Sequence, residues 1–226
     1  MSDLPEDPEG RGVPTATCNE TAPLVVGVSD VVVDLYLRVS RLADPGEKVR
    51  AESLGRMGGG TVCNAMCAAA RLGAHASLIG RAGDDADGRY ALDDLAHFGV
   101  DVSHVRVTPG FETCWTLVLV TPSGERAIYL ASGAAPDSGG QGAGHRTKME
   151  AREGHGELSL DKGDLDLISR ADVVYLAPFV GESVLSLAMN TARHAGALVA
   201  MDIERADRER LDDPWELVVS PDIVFL

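Results

Sequence analysis

The 226-residue sequence predicts an α/β fold, a Rossmann-like three-layer α/β/α sandwich with a small antiparallel β sheet attached to it. Short apolar segments alternate with helix-like segments, and this order implies parallel strands joined by right-handed crossovers. Other segments alternate polar and apolar residues, as strands with one solvated face do. The composition fits one globular unit, because 45% of the residues are hydrophobic and 24% are charged.

The crossover part is predicted from apolar runs and from apolar residues at helical spacing. The segment 182–195 is the clearest helix, since Gly196 follows it and glycine commonly ends helices. The other predicted helices are 64–72 and 85–98. We expect one parallel sheet from the buried strands at 24–28, 76–80, 171–176, 198–201 and 223–226.

The small sheet is predicted from half-polar segments at about residues 31–57 and 113–130. Its strands are expected at 31–39, 48–54, 113–120 and 126–130. A turn sequence, Asp44-Pro45-Gly46-Glu47, precedes the second strand, and Thr121-Pro122-Ser123-Gly124 joins the last two. Such turns favour antiparallel pairing.

Two segments lack the apolar residues that a packed structure needs. Residues 1–22 are polar, acidic and proline-bearing, and we expect them to be a disordered tail. Residues 136–163 are rich in glycine and charge, and we expect a flexible insertion there. Burial of so few apolar groups does not offset the entropy of ordering the chain. The predicted domain is therefore 23–226.

An ordered series of glycines and polar residues begins at the predicted junction of the two parts. It reads Gly58-Gly59-Gly60, Asn64, Ala70-Arg71-Leu72-Gly73, Gly80, Gly83-Asp84-Asp85 and Gly88. Any one of these glycines is explained by a place in a turn or loop between two elements. The whole series resembles the N-terminal signature of the ribokinase-like (PfkB) carbohydrate kinase family, and the resemblance covers about residues 23–226.

The resemblance implies a sugar site formed by Asp34, Gly59, Gly60 and Asn64. Asp34 aligns with the sugar-contacting Asp of the family, and a carboxylate accepts hydrogen bonds from two hydroxyl groups at once. The glycines let the backbone approach a ligand, and the Asn side chain offers both donors and acceptors. The structural alternative for Asp34 is a solvated residue at a strand edge.

The remaining residues of the pattern are expected to be structural. Asp84 and Asp85 are expected to cap the helix that follows them. Thr113 and Arg126 match scaffold positions of the small sheet, which the family uses as a lid over the sugar. Glu47 fits a turn residue and a family functional residue equally well.

The resemblance implies ATP-dependent phosphorylation of a sugar or sugar-like hydroxyl, with ATP and Mg²⁺ as cofactors and a sugar or nucleoside as substrate. In the family, an Asn-x-x-Glu segment helps to place magnesium and phosphate, and an Asp-Thr-x-Gly-Ala-Gly-Asp motif carries the anion hole and the catalytic base. Neither occurs in the sequence, and Gly142-Ala143-Gly144 is no substitute because His145 stands where the Asp belongs.

We therefore interpret the sequence as a C-terminally truncated family domain that contains no catalytic residue. A positioned base contributes roughly 10² to 10⁴ in rate, so we expect phosphoryl transfer by this chain alone to be weak. The alternative function is a non-catalytic sugar-binding or dimerisation module, with a homodimer formed through the lid.

Charge and cysteine spacing disfavour several other classes of protein. A net charge of −15 repels nucleic acids and anionic membranes, and the polar N-terminus is unlike a signal peptide, which predicts a cytoplasmic protein. Cys63 and Cys67 are one helical turn apart, and we favour two packed thiols over a metal or redox pair. A dinucleotide-dependent oxidoreductase is disfavoured, because residues 27–30 do not begin a Gly-x-Gly-x-x-Gly loop.

Overall fold

The computed structural model describes residues 21–131, 158–203 and 221–225, and these form two β sheets and four helices. The strands are β1 (Leu24–Val28), β2 (Val32–Val39), β3 (Ala51–Gly59), β4 (His75–Gly83), β5 (Asp101–Thr108), β6 (Cys114–Val120), β7 (Arg126–Ala131), β8 (Val173–Leu176), β9 (Leu198–Asp202) and β10 (Ile223–Phe225). The helices are α1 (Thr61–Arg71), α2 (Ala86–His97), α3 (Lys162–Ile168) and α4 (Glu182–Ala195).

The larger sheet has six strands in the order β10-β9-β8-β1-β4-β5, and all of its pairings are parallel. Neighbouring residues of a strand point to opposite faces, so Leu78 packs with α1 and α2 while Ile79 packs with α3 and α4. Each face therefore has its own apolar core. This confirms the predicted three-layer α/β/α sandwich.

The smaller sheet has the strand order β3-β2-β6-β7. The β2–β3 and β6–β7 pairs are antiparallel as predicted, but the central pair, β2 and β6, is parallel. The prediction of a purely antiparallel sheet was wrong for that pair. The preceding strands β1 and β5 run in the same direction through the parallel sheet, and β2 and β6 both continue from their carboxyl ends.

Several predicted boundaries agree with the structure and others shift. Helix α4 has the predicted limits, and Gly196 ends it with a left-handed φ of 83°. Helix α1 begins three residues before the predicted start, and β3 lies later in the chain than the predicted strand 48–54. The turn before β3 is present, with the Glu47 amide donating to the Asp44 carbonyl over 3.0 Å.

The predicted insertion extends too far at its C-terminal end. Leu158 is buried in the core and α3 begins at Lys162, so residues 158–163 belong to the folded domain. Arg106 of β5 donates to the Ser159 carbonyl over 3.1 Å and pairs with Asp161, which holds this segment on the sheet edge. Residues 136–157, and residues 1–20 of the predicted tail, lie outside the described residues.

Candidate functional site

The predicted site residues lie where the two sheets connect. The segment after β1 leads directly into β2, and the end of β3 leads directly into α1. The junction thus joins the carboxyl end of a central parallel strand to the N-terminus of a helix. Ligands of open α/β sheets bind at this end of the strands.

Asp34 and Gly59 are in direct contact across β2 and β3. The Asp34 carboxylate lies over the Gly59 Cα, and a methyl group added at residue 59 would overlap the carboxylate atoms. Only glycine therefore permits this position of Asp34. On the neighbouring strand β6, the Thr116 hydroxyl donates a hydrogen bond to Oδ1 of Asp34.

Gly60 forms the turn between β3 and α1. Its φ of 87° lies in the left-handed region that side chains disfavour, which explains a glycine here. No side chain caps the N-terminus of α1, and the first helical hydrogen bond runs from the Asn64 amide to the Gly60 carbonyl over 2.9 Å. Uncapped amide groups at a helix N-terminus are donors for oxygen atoms of a ligand.

Asn64 is exposed and lines a cleft of about 340 Å³ between α1, α2 and the end of β3. Gly58, Gly59, Cys67 and Asp94 line the same cleft, whereas Asp34 is not among its lining residues. Alternation along β3 explains the difference, because Gly58 faces Asp94 and Gly59 faces Asp34. The structure thus brings together Gly59, Gly60 and Asn64, and Asp34 contacts Gly59 on the face of β3 opposite to that on which Asp94 contacts Gly58.

A second hollow, of about 450 Å³, lies between α3 and α4, away from this junction. Its lining residues are Ser169, Asn190, Thr191, His194 and Ala195, so it contains none of the predicted site residues. The His194 ring and the Thr191 hydroxyl bond to carbonyl groups of their own helix. We therefore place the candidate site at the junction of the sheets.

Tyr36 adds a hydroxyl group to the Asp34 side of the junction. It follows Asp34 by two residues on β2, so both side chains lie on the same face of the small sheet. Burial, and then the negative charge of Asp34, raise the pKa of the Tyr36 phenol, although the nearby Arg126 partly opposes this. The phenol therefore remains protonated at neutral pH beside the carboxylate.

The glycine–aspartate turn before α2 is structural, as predicted. Asp85 caps α2 by accepting from the Gly88 amide over 2.7 Å, and it also accepts from the Thr113 amide and hydroxyl, each over 2.8 Å. Burial alone would raise the pKa of Asp85, but these hydrogen bonds outweigh burial and lower it. Asp84 pairs with Arg89 instead of capping the helix.

Thr113 is fully buried and accepts from the Gly83 amide over 2.9 Å, which agrees with its predicted scaffold role. Glu47 is also structural here. Its carboxylate pairs with Arg41 and accepts from the Asp44 amide over 3.1 Å, and these contacts, the first above all, lower its pKa. Of the two interpretations of Glu47, the structure supports the turn residue.

An ion pair that could not be predicted from the sequence lies between the segment before β2 and the segment before β6, which both connect the two sheets. Arg81 of β4 donates to both carboxylate oxygens of Asp30, over 3.3 and 2.9 Å, and its guanidinium lies 3.9 Å from the centre of the Phe111 ring. Asp30 precedes β2 and Phe111 precedes β6. Arg81 lies inside the Gly80–Gly88 pattern, and this position was the only sign in the sequence that it has a structural role. Its partners could not be predicted, because they are far away in the sequence.

Potential metal ligands are scattered in the part of the chain that the structure describes. Within 21–131, 158–203 and 221–225, no group of three His, Cys, Asp or Glu side chains could hold a metal ion. Burial raises the pKa of Cys63 to about 12 and that of Cys67 to about 11, so both thiols stay protonated. This supports two packed thiols. The described residues therefore do not fit a Mg²⁺ site.

Comparisons with known proteins agree with this fold. The profile of the pfkB family of carbohydrate kinases matches residues 22–226. An ATP-dependent ribose-1-phosphate kinase from Halopiger xanaduensis is 30% identical over 201 residues, which cover 89% of this chain and 60% of the relative. A ribokinase from Arabidopsis thaliana is 26% identical over 223 residues, which cover 98% of this chain and 54% of the relative. The chain thus spans between half and two thirds of these curated relatives.

Solved structures show the same architecture. Arabidopsis thaliana ribokinase complexed with ribose and ATP aligns with a TM-score of 0.66 at 24% identity, over 90% of this chain and 59% of that one. Ribokinase from Giardia lamblia aligns with a TM-score of 0.67 at 17% identity, over 90% of this chain and 57% of that one. At these identities the likeness shows the ribokinase-like fold.

Proposed function

Because the chain belongs to the pfkB family of carbohydrate kinases, we propose that its described residues form the sugar-binding part of an enzyme that phosphorylates a sugar or sugar-like hydroxyl with ATP. The observation that carries the proposal is the junction of the two sheets. There, a partly buried carboxylate is held against a glycine, next to the uncapped N-terminus of α1.

Each residue of the junction has a distinct role in this proposal. The Asp34 carboxylate accepts hydrogen bonds from two adjacent hydroxyl groups of the sugar. The Gly59–Gly60 backbone lets the sugar approach closely, and Asn64 donates to and accepts from further hydroxyl groups. A neutral polyhydroxylated molecule, a sugar or a nucleoside, matches this set of donors and acceptors.

In the proposed reaction, MgATP would supply the phosphoryl group. Since the described residues do not fit a Mg²⁺ site, we assign them no role in holding the metal or in the transfer step. Their contribution is to bind and orient the hydroxyl that is phosphorylated. Correct orientation of a reactant is itself a large part of catalysis.

A second candidate function is a non-catalytic sugar-binding or dimerisation module. Strand β7, at the edge of the small sheet, supports it, because Ile128, Tyr129 and Leu130 are each more than half exposed. Exposed apolar residues on an edge strand favour pairing with a second copy of the chain. Phosphorylation of a bound sugar by this chain would exclude this second function.

None of the helices within the described ranges is both long and apolar enough to cross a membrane. The net charge of −15 opposes contact with nucleic acids. We propose a small neutral molecule as the ligand, and the cytoplasmic location stays a prediction.

A thermal-unfolding screen tests the proposed ligand class. The chain is heated with individual pentoses, hexoses, polyols and nucleosides, and each unfolding curve is compared with that of the free chain. A ligand at 100 times its Kd stabilises the folded state by about 2.7 kcal/mol, which such a screen resolves. We expect stabilisation by at least one neutral sugar or nucleoside. Stabilisation by ATP alone, with none from the sugars and nucleosides, would contradict the proposal.

A further inference from the structure

Thr116 lies next to Asp34 on a different strand. Strands β2 and β6 run parallel, and their register pairs Asp34 with Thr116. The Thr116 hydroxyl donates its hydrogen bond to Oδ1 of Asp34, although the two residues are 82 positions apart. Their contact is therefore a product of the sheet pairing.

The Thr116 side chain is almost completely shielded from water, with 7% of its surface exposed. A buried hydroxyl needs a hydrogen-bond partner, and the described structure provides the Asp34 carboxylate. The Gly59 Cα lies against the same carboxylate. Asp34 is thus restricted by a hydrogen bond from one neighbouring strand and by close packing on the other.

We propose that Thr116 is a positioning residue that fixes the Asp34 carboxylate in the orientation in which it accepts hydroxyl groups of a sugar. This inference rests on the proposed function. An ionised carboxylate has about four lone-pair sites; Thr116 uses one of them, and a hydrogen bond with the Tyr36 hydroxyl uses another. The remaining sites then point in defined directions before a ligand arrives, so binding loses less conformational entropy.

Tyr36 provides a spectroscopic reporter of this arrangement. The pKa of its phenol is raised by burial and by the charge of Asp34, so a change in the position of that charge changes the phenol titration. The chain has four tyrosines, and a Tyr36→Phe variant identifies the Tyr36 signal in carbon-13 spectra of labelled protein. The titration reports on Asp34 even when no ligand is present.

The test compares three substitutions at buried threonines. Thr116→Val removes the hydroxyl at nearly constant volume, and Thr116→Ser keeps the hydroxyl but removes the methyl group. The matched control is Thr121→Val, because Thr121 is also buried and its hydroxyl bonds to Ser123 and Glu125, at the far end of the same hairpin. Affinity is measured by calorimetry with a sugar that stabilises the wild-type chain.

We expect Thr116→Val to bind the sugar about tenfold more weakly, which corresponds to about 1.4 kcal/mol. Thr116→Ser and Thr121→Val should remain within about twofold of the wild type, a change of less than 1 kcal/mol. The Tyr36 titration should shift in Thr116→Val and not in Thr121→Val. A normal unfolding curve of Thr116→Val would show that its weaker binding is not caused by a loss of folding.

Two results would overturn the inference while leaving the proposed function in place. One is wild-type affinity in Thr116→Val when Asp34→Asn has lost binding. The other is an equal loss in Thr116→Ser and Thr116→Val, since the hydroxyl would then not be the cause. If the wild-type chain binds none of the sugars or nucleosides, the proposed function fails and the inference fails with it.

Discussion

At the level of single residues, Asp34 and Gly59 restrict each other. The carboxylate occupies the space that a side chain at residue 59 would need, and the Thr116 hydroxyl holds it there. A glycine and an aspartate that are 25 positions apart therefore act as one unit. Substitution of either residue should affect the other.

Asp34→Asn should remove measurable sugar binding and leave the fold intact. The amide can still accept from Thr116, so we expect the free energy of unfolding to change by less than about 1 kcal/mol, whereas Asp34→Ala would also leave the Thr116 hydroxyl unpaired. Calorimetry and urea unfolding measure the two effects. Asp94→Asn is the matched control, because Asp94 faces the other side of β3. Loss of binding in Asp94→Asn alone would place the sugar in the cleft beside α2 and contradict the role of Asp34.

Gly59→Ala should both weaken sugar binding and destabilise the chain. The added methyl group displaces the Asp34 carboxylate, and overpacking of this kind reduces stability by about 1–3 kcal/mol. Gly163→Ala, within α3, is the milder comparison, because its added methyl group lies 3.2 Å from Oδ1 of Asp161 and does not overlap it. Normal binding by Gly59→Ala would show that the position of Asp34 is not critical.

Four candidate site residues were predicted from the sequence, but their arrangement was not. Gly59, Gly60 and Asn64 are close in the chain, so local spacing was enough to group them. Thr116 and Asp94 could not be predicted, because their contacts arise from strand pairing and helix packing between distant segments. Asp34 does not line the cleft beside Asn64, because successive residues of β3 face opposite sides of the sheet. The limits predicted for β3 were too early in the chain to show this.

At the level of elements, hydrogen bonds from α2 hold the connection between β5 and β6. Asp85 caps the helix and also binds Thr113, which is the residue before β6. The small sheet is therefore linked to the main domain through a helix N-terminus. The Arg81–Asp30 pair provides a second link through β4.

Asp85→Ala should lower the free energy of unfolding by about 2–3 kcal/mol, since it removes a helix cap and leaves buried Thr113 groups unpaired. Asp84→Ala should change it by less than about 0.5 kcal/mol, because Asp84 is exposed. Urea unfolding of the two variants and the wild type provides the comparison. Equal stability of the two variants would contradict the structural role of Asp85.

The effect of Asp85 should also depend on pH. The pKa of Asp85 is lowered in the folded state, so its stabilisation is fully present above the pKa of the unfolded chain, about 3.9. It is lost as the pH falls through the lower pKa of the folded state. The stability difference between wild type and Asp85→Ala should therefore be constant from pH 5 to 7 and shrink below about pH 4. A difference that stays constant down to pH 2 would argue against an ionised cap.

Elements with a strong local pattern were predicted well, and elements that depend on partners were missed. Helix α4 has a long apolar face and a terminating glycine, so its limits were correct. Strand β5 carries His104 and Arg106, which bind Asp164 of α3 and obscure the expected alternation. Helix α3 has only seven residues, so it was not predicted, and its first two residues were assigned to the insertion.

At the level of the whole molecule, an edge strand of each sheet carries exposed apolar residues. Ile128, Tyr129 and Leu130 lie on β7 of the small sheet, and Ile223 and Phe225 lie on β10, the edge strand of the parallel sheet. An edge strand with exposed apolar side chains can pair with another chain. The net charge of −15 opposes association, but salt screens it beyond about 8 Å at physiological ionic strength.

We therefore expect the chain to self-associate more strongly at moderate than at low salt, and to bind a hydrophobic dye. Sedimentation velocity at the two salt concentrations measures association. Leu130→Asp and Phe225→Asp separate the two surfaces: a homodimer through the small sheet should be lost in the first variant and retained in the second. A monodisperse monomer without dye binding under both conditions would contradict this prediction.

The central claim is that these residues bind a neutral sugar or nucleoside without help from ATP. Isothermal titration calorimetry of the 226-residue chain, with each sugar and nucleoside and separately with MgATP, tests it most directly. We expect binding of at least one neutral sugar or nucleoside, with one molecule per chain, whether or not MgATP is present. Tight MgATP binding without any sugar or nucleoside binding would contradict the assignment of Asp34, Gly59, Gly60 and Asn64.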